Sequence, residues 1–256
     1  DRGVSPYKRN YDDPLLEYFE TPLGNYYLPN DAPQDIVINR MKFGEIFEPE
    51  AVDTARDFIK KGTVVLDVGA NFGQMSLLFS QLVGVKGSVY AFEADDFICD
   101  VLKKNIAANN CTNIKPVCKA VYNKNEAIML YPVQDFKRFA SYGSYGLDPN
   151  AKTGREVRTI TIDSLNIEGP ISFMKVDVQG SDLFVLQGAV ETIKKHKMPI
   201  LFEYEEQFGD EFNAKWQDYK DFIESISYKI EKTIYSINYL IVPKLKNRQE
   251  KDIATG

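Results

Sequence analysis

The sequence predicts an α/β fold: an open, mostly parallel sheet covered by helices on both faces, with an antiparallel hairpin at its C-terminal end and an N-terminal arm. Two observations predict it. Between residues 49 and 226, strand-like apolar runs alternate with stretches of helical period, the mark of βαβ units. The final runs, YKIEKTI and NYLIVPK, follow one another with no helix between them, which sets them antiparallel at the sheet edge. A length of 256 residues suits one well-covered core, and 44% hydrophobic with 27% charged residues excludes a collagenous, coiled-coil or largely disordered chain.

Residues 1–43, rich in Pro, Asp, Asn and Tyr, form the arm or cap, in which the turn signal Leu23-Gly24-Asn25 closes a short hairpin. The main domain spans 44–245. Pro49 opens a helix bearing Val52, Ala55, Phe58 and Ile59 on one face, and Gly62 stops it. TVVLDVGA (63–70) is the first buried strand, followed by a helix face of Met75, Leu78, Phe79 and Leu82 and by the strand SVYAFEA (88–94). Next come a helix with Ile98, Val101, Leu102 and Ile106 and the strand IKPVCKAV (114–121). After about 50 intervening residues, ISFMKVDV (171–178) resumes the sheet, with a helix bearing Leu183, Leu186, Val190 and Ile193. PILFEYE (199–205) and a helix with Trp216, Tyr219, Ile223 and Ile226 precede the closing hairpin, joined at Tyr235-Ser236-Ile237. The mixed-charge end, 246–256, reads as a frayed tail.

Charge and cysteine usage exclude several classes. With 31 Lys plus Arg against 37 Asp plus Glu, the net charge of -6 offers no general positive field, so nucleic acid is not the expected partner. Cys99, Cys111 and Cys118 are odd in number and lack CxxC spacing, which indicates neither a disulfide framework nor a zinc site and fits a reducing cytoplasm. No apolar run approaches the roughly 18 residues that span a bilayer, and the start DRGVSPYKRN is not a signal pattern. The missing initiator Met suggests a domain of a longer chain.

The sharpest chemical signal is VVLDVGANFGQMS, at the carboxyl end of the first strand, where an open α/β sheet meets its ligand. Gly69 and Gly73 bracket the turn and let backbone approach a ligand, while Asn71 tolerates turn geometry. Asn71 stands where the G-x-G-x-x-G fingerprint needs its second Gly, and no P-loop Gly-Lys-Ser/Thr follows, which places NAD and ATP behind other nucleotides. Glu93 closes the second strand, where a carboxylate accepts hydrogen bonds from both ribose hydroxyls, so a ribose-bearing cofactor is expected.

These stretches, and above all MKVDVQGSDLFVLQGA, resemble the FkbM family of S-adenosylmethionine-dependent O-methyltransferases. The family usually shows Lys-x-Asp-x-x-Gly-x-x-x-x-x-Leu-x-Gly-Ala; this chain keeps Lys175, Asp177, Gly180, Leu186, Gly188 and Ala189, and the resemblance covers about residues 44–205. It implies the Rossmann-like, seven-stranded methyltransferase sheet with a reversed hairpin, and S-adenosylmethionine as cofactor. It also implies that Asp67, Gly69, Ala70, Asn71, Phe72 and Gly73 line the methionine half, that Glu93 holds the ribose, and that Ala94, Ala120 and Val121 lie near the adenine.

Methyl transfer from a sulfonium requires alignment and removal of a hydroxyl proton. Asp177, at the carboxyl end of FMKVDV, is the expected catalytic residue; its plainer role is helix capping, which Ser181 could perform instead. Glu203, or Glu205, ends the neighbouring strand, and Asp177 with Glu203 form a candidate Mg²⁺ or Mn²⁺ site that lacks an evident third ligand. His196, the only histidine, follows two lysines at a helix C-terminus and is read as structural, as is Lys175, a paired cation inside a strand. The segment FASYGSYGLDPN (139–150) reads as a lid or binding loop whose Tyr142 and Tyr145 stack on a sugar ring or donate hydroxyl hydrogen bonds. The expected function is methylation of a hydroxyl on a sugar, glycan or glycosylated natural product; the negative charge, the Tyr-rich loop and the habits of the family favour that acceptor. The alternatives are an NAD-dependent oxidoreductase, an RNA ribose methyltransferase disfavoured by the charge, and a non-catalytic nucleotide-fold domain of a glycan-assembly protein.

Overall fold

The computed structural model describes residues 2–245, so the expected tail at 246–256 lies outside the described residues. Along the chain run β1 (Lys8–Arg9), β2 (Leu16–Thr21), β3 (Gly24–Pro29), α1 (Ile36–Lys42), α2 (Pro49–Phe58), β4 (Val64–Val68), α3 (Gln74–Val83), β5 (Ser88–Phe92) and α4 (Asp96–Ala108). Then follow β6 (Ile114–Val117), β7 (Ala120–Val121), β8 (Ile128–Tyr131), β9 (Arg155–Ile160), β10 (Ile171–Val176), α5 (Asp182–Gln187) and α6 (Val190–His196). β11 (Ile200–Glu203), α7 (Glu206–Glu211), α8 (Trp216–Ser225), β12 (Tyr228–Ile234) and β13 (Asn238–Pro243) complete the order. Among the described residues no helix is long and apolar enough to cross a membrane.

The central sheet has seven strands in the order β12-β13-β11-β10-β4-β5-β6. β11, β10, β4, β5 and β6 are parallel, and β13 lies antiparallel between β11 and β12. Strand alternation sorts β4 between two cores: Val65 joins α2, α3, α4 and the arm on one face, whereas Leu66 and Val68 join α5, α6 and α8 on the other. Asp67 falls on the α3 face and there accepts a hydrogen bond from Ser76 at 2.6 Å.

The arm is more structured than a loose cap. β1, β2 and β3 make a small antiparallel sheet whose hairpin closes from Thr21 to Gly24. Asn105 of α4 fastens it by accepting from the Tyr27 amide at 2.6 Å, while its own amide donates to the Phe72 carbonyl at 2.8 Å. One side chain thus ties the arm to the first βα turn.

Four expectations are corrected. The run 114–121 is broken: β6 stays in the central sheet, and β7 pairs instead with β9. The interval before β10, read without strands, holds β8 and β9, which with β7 form a third sheet. The helix expected over Leu183 to Ile193 breaks at Gly188, where a Cβ would sit 2.2 Å from the Tyr122 carbonyl oxygen. Cysteine counting pointed away from disulfides, yet Cys99 and Cys118 are bonded with Cα atoms 5.8 Å apart, and only Cys111 is free. Closing this loop contributes about 3 kcal/mol by restricting the unfolded chain, and the pairing removes the cysteine argument for a reducing compartment.

Candidate functional site

Two adjoining cavities open at the carboxyl ends of β4, β5 and β10. The first encloses about 70 Å³ and the second about 230 Å³. In the first, Gly69 and Asn71 close one end, Glu93 and Ala94 one side, and Ile98, Ala120 and Val121 the far wall. The second cavity is walled by Ala70, Phe72, Gly73, Lys175, Asp177 and Glu203, and from the arm side by Ile36, Val37, Phe47 and Glu48. Gly69, Asn71, Gly143, Asp177 and Gln179 face both cavities and so form the passage between them.

Backbone geometry makes that passage. Gly69, Asn71 and Gly73 all have positive φ, at 88°, 52° and 96°. A Cβ on Gly69 would lie 1.9 Å from the Asp177 carbonyl oxygen, so only glycine lets β4 turn against the end of β10. The Glu93 carboxylate accepts from the Asn71 amide at 2.9 Å and the Asp95 amide at 3.0 Å, which holds the turn to the tip of β5. Glu93 is only 8% exposed. Burial pushes its carboxyl up to about 7, although the Asp95 and Asn71 amides pull the other way.

Lys175 lies inside β10, 3.8 Å from Asp67 and 3.7 Å from Asp177. Burial opposes its charge, but Asp177 and Asp67 outweigh burial and hold the ammonium above the usual lysine range. Asp177 also accepts from the Gln179 side-chain amide at 2.7 Å, and the same amide donates to Glu203 at 3.2 Å. Burial, reinforced by the Asp177 and Asp182 charges, pushes Glu203 up to about 10. Among the described residues no group of three or more His, Cys, Asp or Glu gathers as a metal site. With an ammonium and an amide beside Asp177 and Glu203, these residues do not fit the candidate Mg²⁺ or Mn²⁺ site.

The other expected residues fall in distinct places. Asp67 lines neither cavity and lies beneath the turn, between Ser76 and Lys175. Ser181 was expected to cap α5, but its hydroxyl makes no capping bond; 1% exposed and without a hydrogen-bond partner, it stands at the first cavity. Asp182 does the local work instead, accepting from the Glu203 amide at 3.1 Å. His196 ends α6 far from either cavity, and burial with neighbouring Lys195 lowers its pKa.

Tyr142 and Tyr145 do not offer free faces to a sugar. Both are buried in the segment that roofs the first cavity. The Tyr142 hydroxyl donates to Asp31 at 2.8 Å, and the Tyr145 hydroxyl donates to the Asp135 carbonyl at 2.6 Å. The Tyr142 amide donates to Asp35 at 2.8 Å, and the other oxygen of Asp35 accepts from Val37 and Ile38 as the cap of α1. The lid is therefore latched to the arm.

Glu48 is the residue that the sequence reading missed. It precedes α2 with φ 52°, a left-handed conformation that directs its side chain into the second cavity. Gln74 holds the approach to it, accepting from the Phe47 amide at 2.9 Å and donating to the Glu45 carbonyl at 2.8 Å. The signal was present in Glu48-Pro49, since Pro at the first helical position places its predecessor at the cap.

The sequence matches the methyltransferase FkbM domain over residues 67–230, and the chain belongs to that family. A candidate rRNA methylase from Clostridium thermocellum superposes with a TM-score of 0.50 at 11% identity, covering 77% of this chain and 95% of that one. Methyltransferase FkbM from Methylobacillus flagellatus KT gives 0.46 at 16% identity, covering 80% of this chain and 52% of that one. A candidate methyltransferase from Streptococcus mutans, solved in complex with S-adenosylhomocysteine, gives 0.45 at 10% identity over 77% of this chain and 96% of that one. At such identity the first of these shows the fold alone. No curated protein matches the sequence.

Proposed function

We propose that this FkbM-family methyltransferase moves a methyl group from S-adenosylmethionine to a hydroxyl of a sugar or glycosylated natural product. The observation that carries the reading is the passage at Gly69, Asn71, Asp177 and Gln179, which joins the cavity beside Glu93 to a chamber lined by carboxyl groups. Bound in the first cavity, the cofactor supplies an electrophilic methyl carbon on a sulfonium. Residues of the chain do the rest. Glu93 receives the ribose hydroxyls, Ile98, Ala94, Ala120 and Val121 enclose the base, and Asn71 and Ser181 each have an unpartnered buried oxygen for polar groups of the ligand. Gly69 to Gly73 leave room for the methionine end, and the roof at Tyr142 excludes water from the reacting atoms.

Carboxylates favour a hydroxyl-rich acceptor. Asp177, Glu203, Glu205 and Glu48 line the second chamber, and such groups accept from vicinal hydroxyls as Glu93 does in the first. Asp177, facing both cavities, receives and orients the acceptor hydroxyl. Incubation with methyl-labelled S-adenosylmethionine and a panel of hexoses, nucleotide sugars and glycosides should yield a methyl ether by mass spectrometry, unchanged by a chelator. Label on nitrogen, or S-adenosylhomocysteine failing to bind, overturns the reading.

A further inference from the structure

We propose that Glu48, from the segment just before the family-matched span, is the carboxylate that takes the acceptor proton, while Asp177 orients the acceptor. The inference rests on the methyl-transfer reading above. Glu48 and Asp177 line the same chamber, but their surroundings differ. Asp177 is engaged at both carboxylate oxygens, one by the Lys175 ammonium at 3.7 Å and the other by the Gln179 amide at 2.7 Å. Glu203 on the neighbouring strand is held neutral and accepts from Gln179. Glu48 faces Lys175 and Asp177 of β10, Glu203 and Glu205 at the end of β11, and the Asn238 amide of β13. Burial first, then the Asp177 charge, push its carboxyl up to about 7, against the pull of Lys175 and Asn238. That value suits a base working near neutral pH.

The step balances within the chamber. The acceptor oxygen forms the new C–O bond as the C–S bond breaks, the bonding pair stays on sulfur, and the hydroxyl proton passes to a Glu48 carboxylate oxygen. A cationic sulfonium and an anionic carboxylate become two neutral groups, a change that low dielectric favours. The left-handed cap and the Gln74 clamp fix the backbone from Glu45 to Glu48 that carries this side chain.

The probe is sinefungin, which presents a protonated amine where the transferred methyl would be, compared with S-adenosylhomocysteine, which presents nothing there. Calorimetry on the whole chain should show that Glu48→Gln binds S-adenosylhomocysteine as the parent does and loses about tenfold in sinefungin affinity. In the parent, the preference for sinefungin should grow as pH rises through about 7, and the variant should flatten that profile. Glu93 affects both ligands alike, so it cancels from the ratio. Equal affinities for sinefungin in parent and variant, or a profile unchanged by the substitution, overturn the assignment to Glu48. Failure of both ligands to bind the parent would instead overturn the donor reading on which it rests.

Discussion

The two chambers are built in opposite ways. The first is lined mostly by short runs of chain: the turn at 68–71, the tip of β5, the stretches 119–121 and 142–147, and the end of β10 through Ser181. The second sets against the same turn single side chains from separate parts of the chain, Val37, Glu48, Lys175, Glu203 and Ile237. A contiguous site is fixed by backbone geometry, so damage there reaches the fold. A gathered site is fixed by side chains, so changes there reach the chemistry and spare the scaffold.

The largest expected effect tests that contrast at Gly69. Gly69→Ala must place a methyl 1.9 Å from the Asp177 carbonyl at a φ of +88°, and should cost about 4 kcal/mol or more in denaturant unfolding. A variant as stable as the parent would break the contrast at its strongest point. Next comes Glu93→Ala, which removes two backbone hydrogen bonds and the expected ribose acceptor together. S-adenosylhomocysteine affinity should fall about 100-fold, equivalent to about 2.7 kcal/mol; tight binding in calorimetry would mean that Glu93 serves the turn alone.

The contrast also explains what the sequence disclosed. The strand–helix alternation, the terminal hairpin and the glycine turn after β4 were legible because each depends on local period or on a glycine that local geometry demands. Asp177 and Glu203 were legible as neighbouring strand ends, whereas nothing in the sequence announces that Glu48, ahead of α2, joins them in the second cavity. Tyr142 and Tyr145 misled for the same reason: composition suggested stacking faces, whereas partners more than a hundred residues away in the case of Asp31 and Asp35 turn Tyr142 inward. The disulfide escaped because sequence spacing does not reveal that α4 and the end of β6 approach each other.

The smallest effect is shared by both sides. Glu48 and Glu93 are each pushed up to about 7, so the folded chain keeps protons that the unfolded chain releases near 4.5. Their contribution to stability is full below about 4.5, declines as pH rises to 7, and is gone above it. Thermal unfolding of the ligand-free protein should therefore shift upward by a few degrees from pH 7.5 to 5.5. Glu48→Gln and Glu93→Gln should each remove part of the slope; a slope unchanged by either would show that the raised groups lie elsewhere.

Asp35 gives the lid and the arm a common fate. The carboxylate that receives the Tyr142 amide also caps α1, whose Ile36 and Val37 form a wall of the other chamber. Lifting the roof to admit or discharge a nucleoside withdraws one bond from that carboxylate and loosens the wall beside it. A single buried side chain thereby couples the two walls, and Asp35→Asn should disturb both at once, read as faster amide exchange at Val37, Ile38 and Tyr142 together.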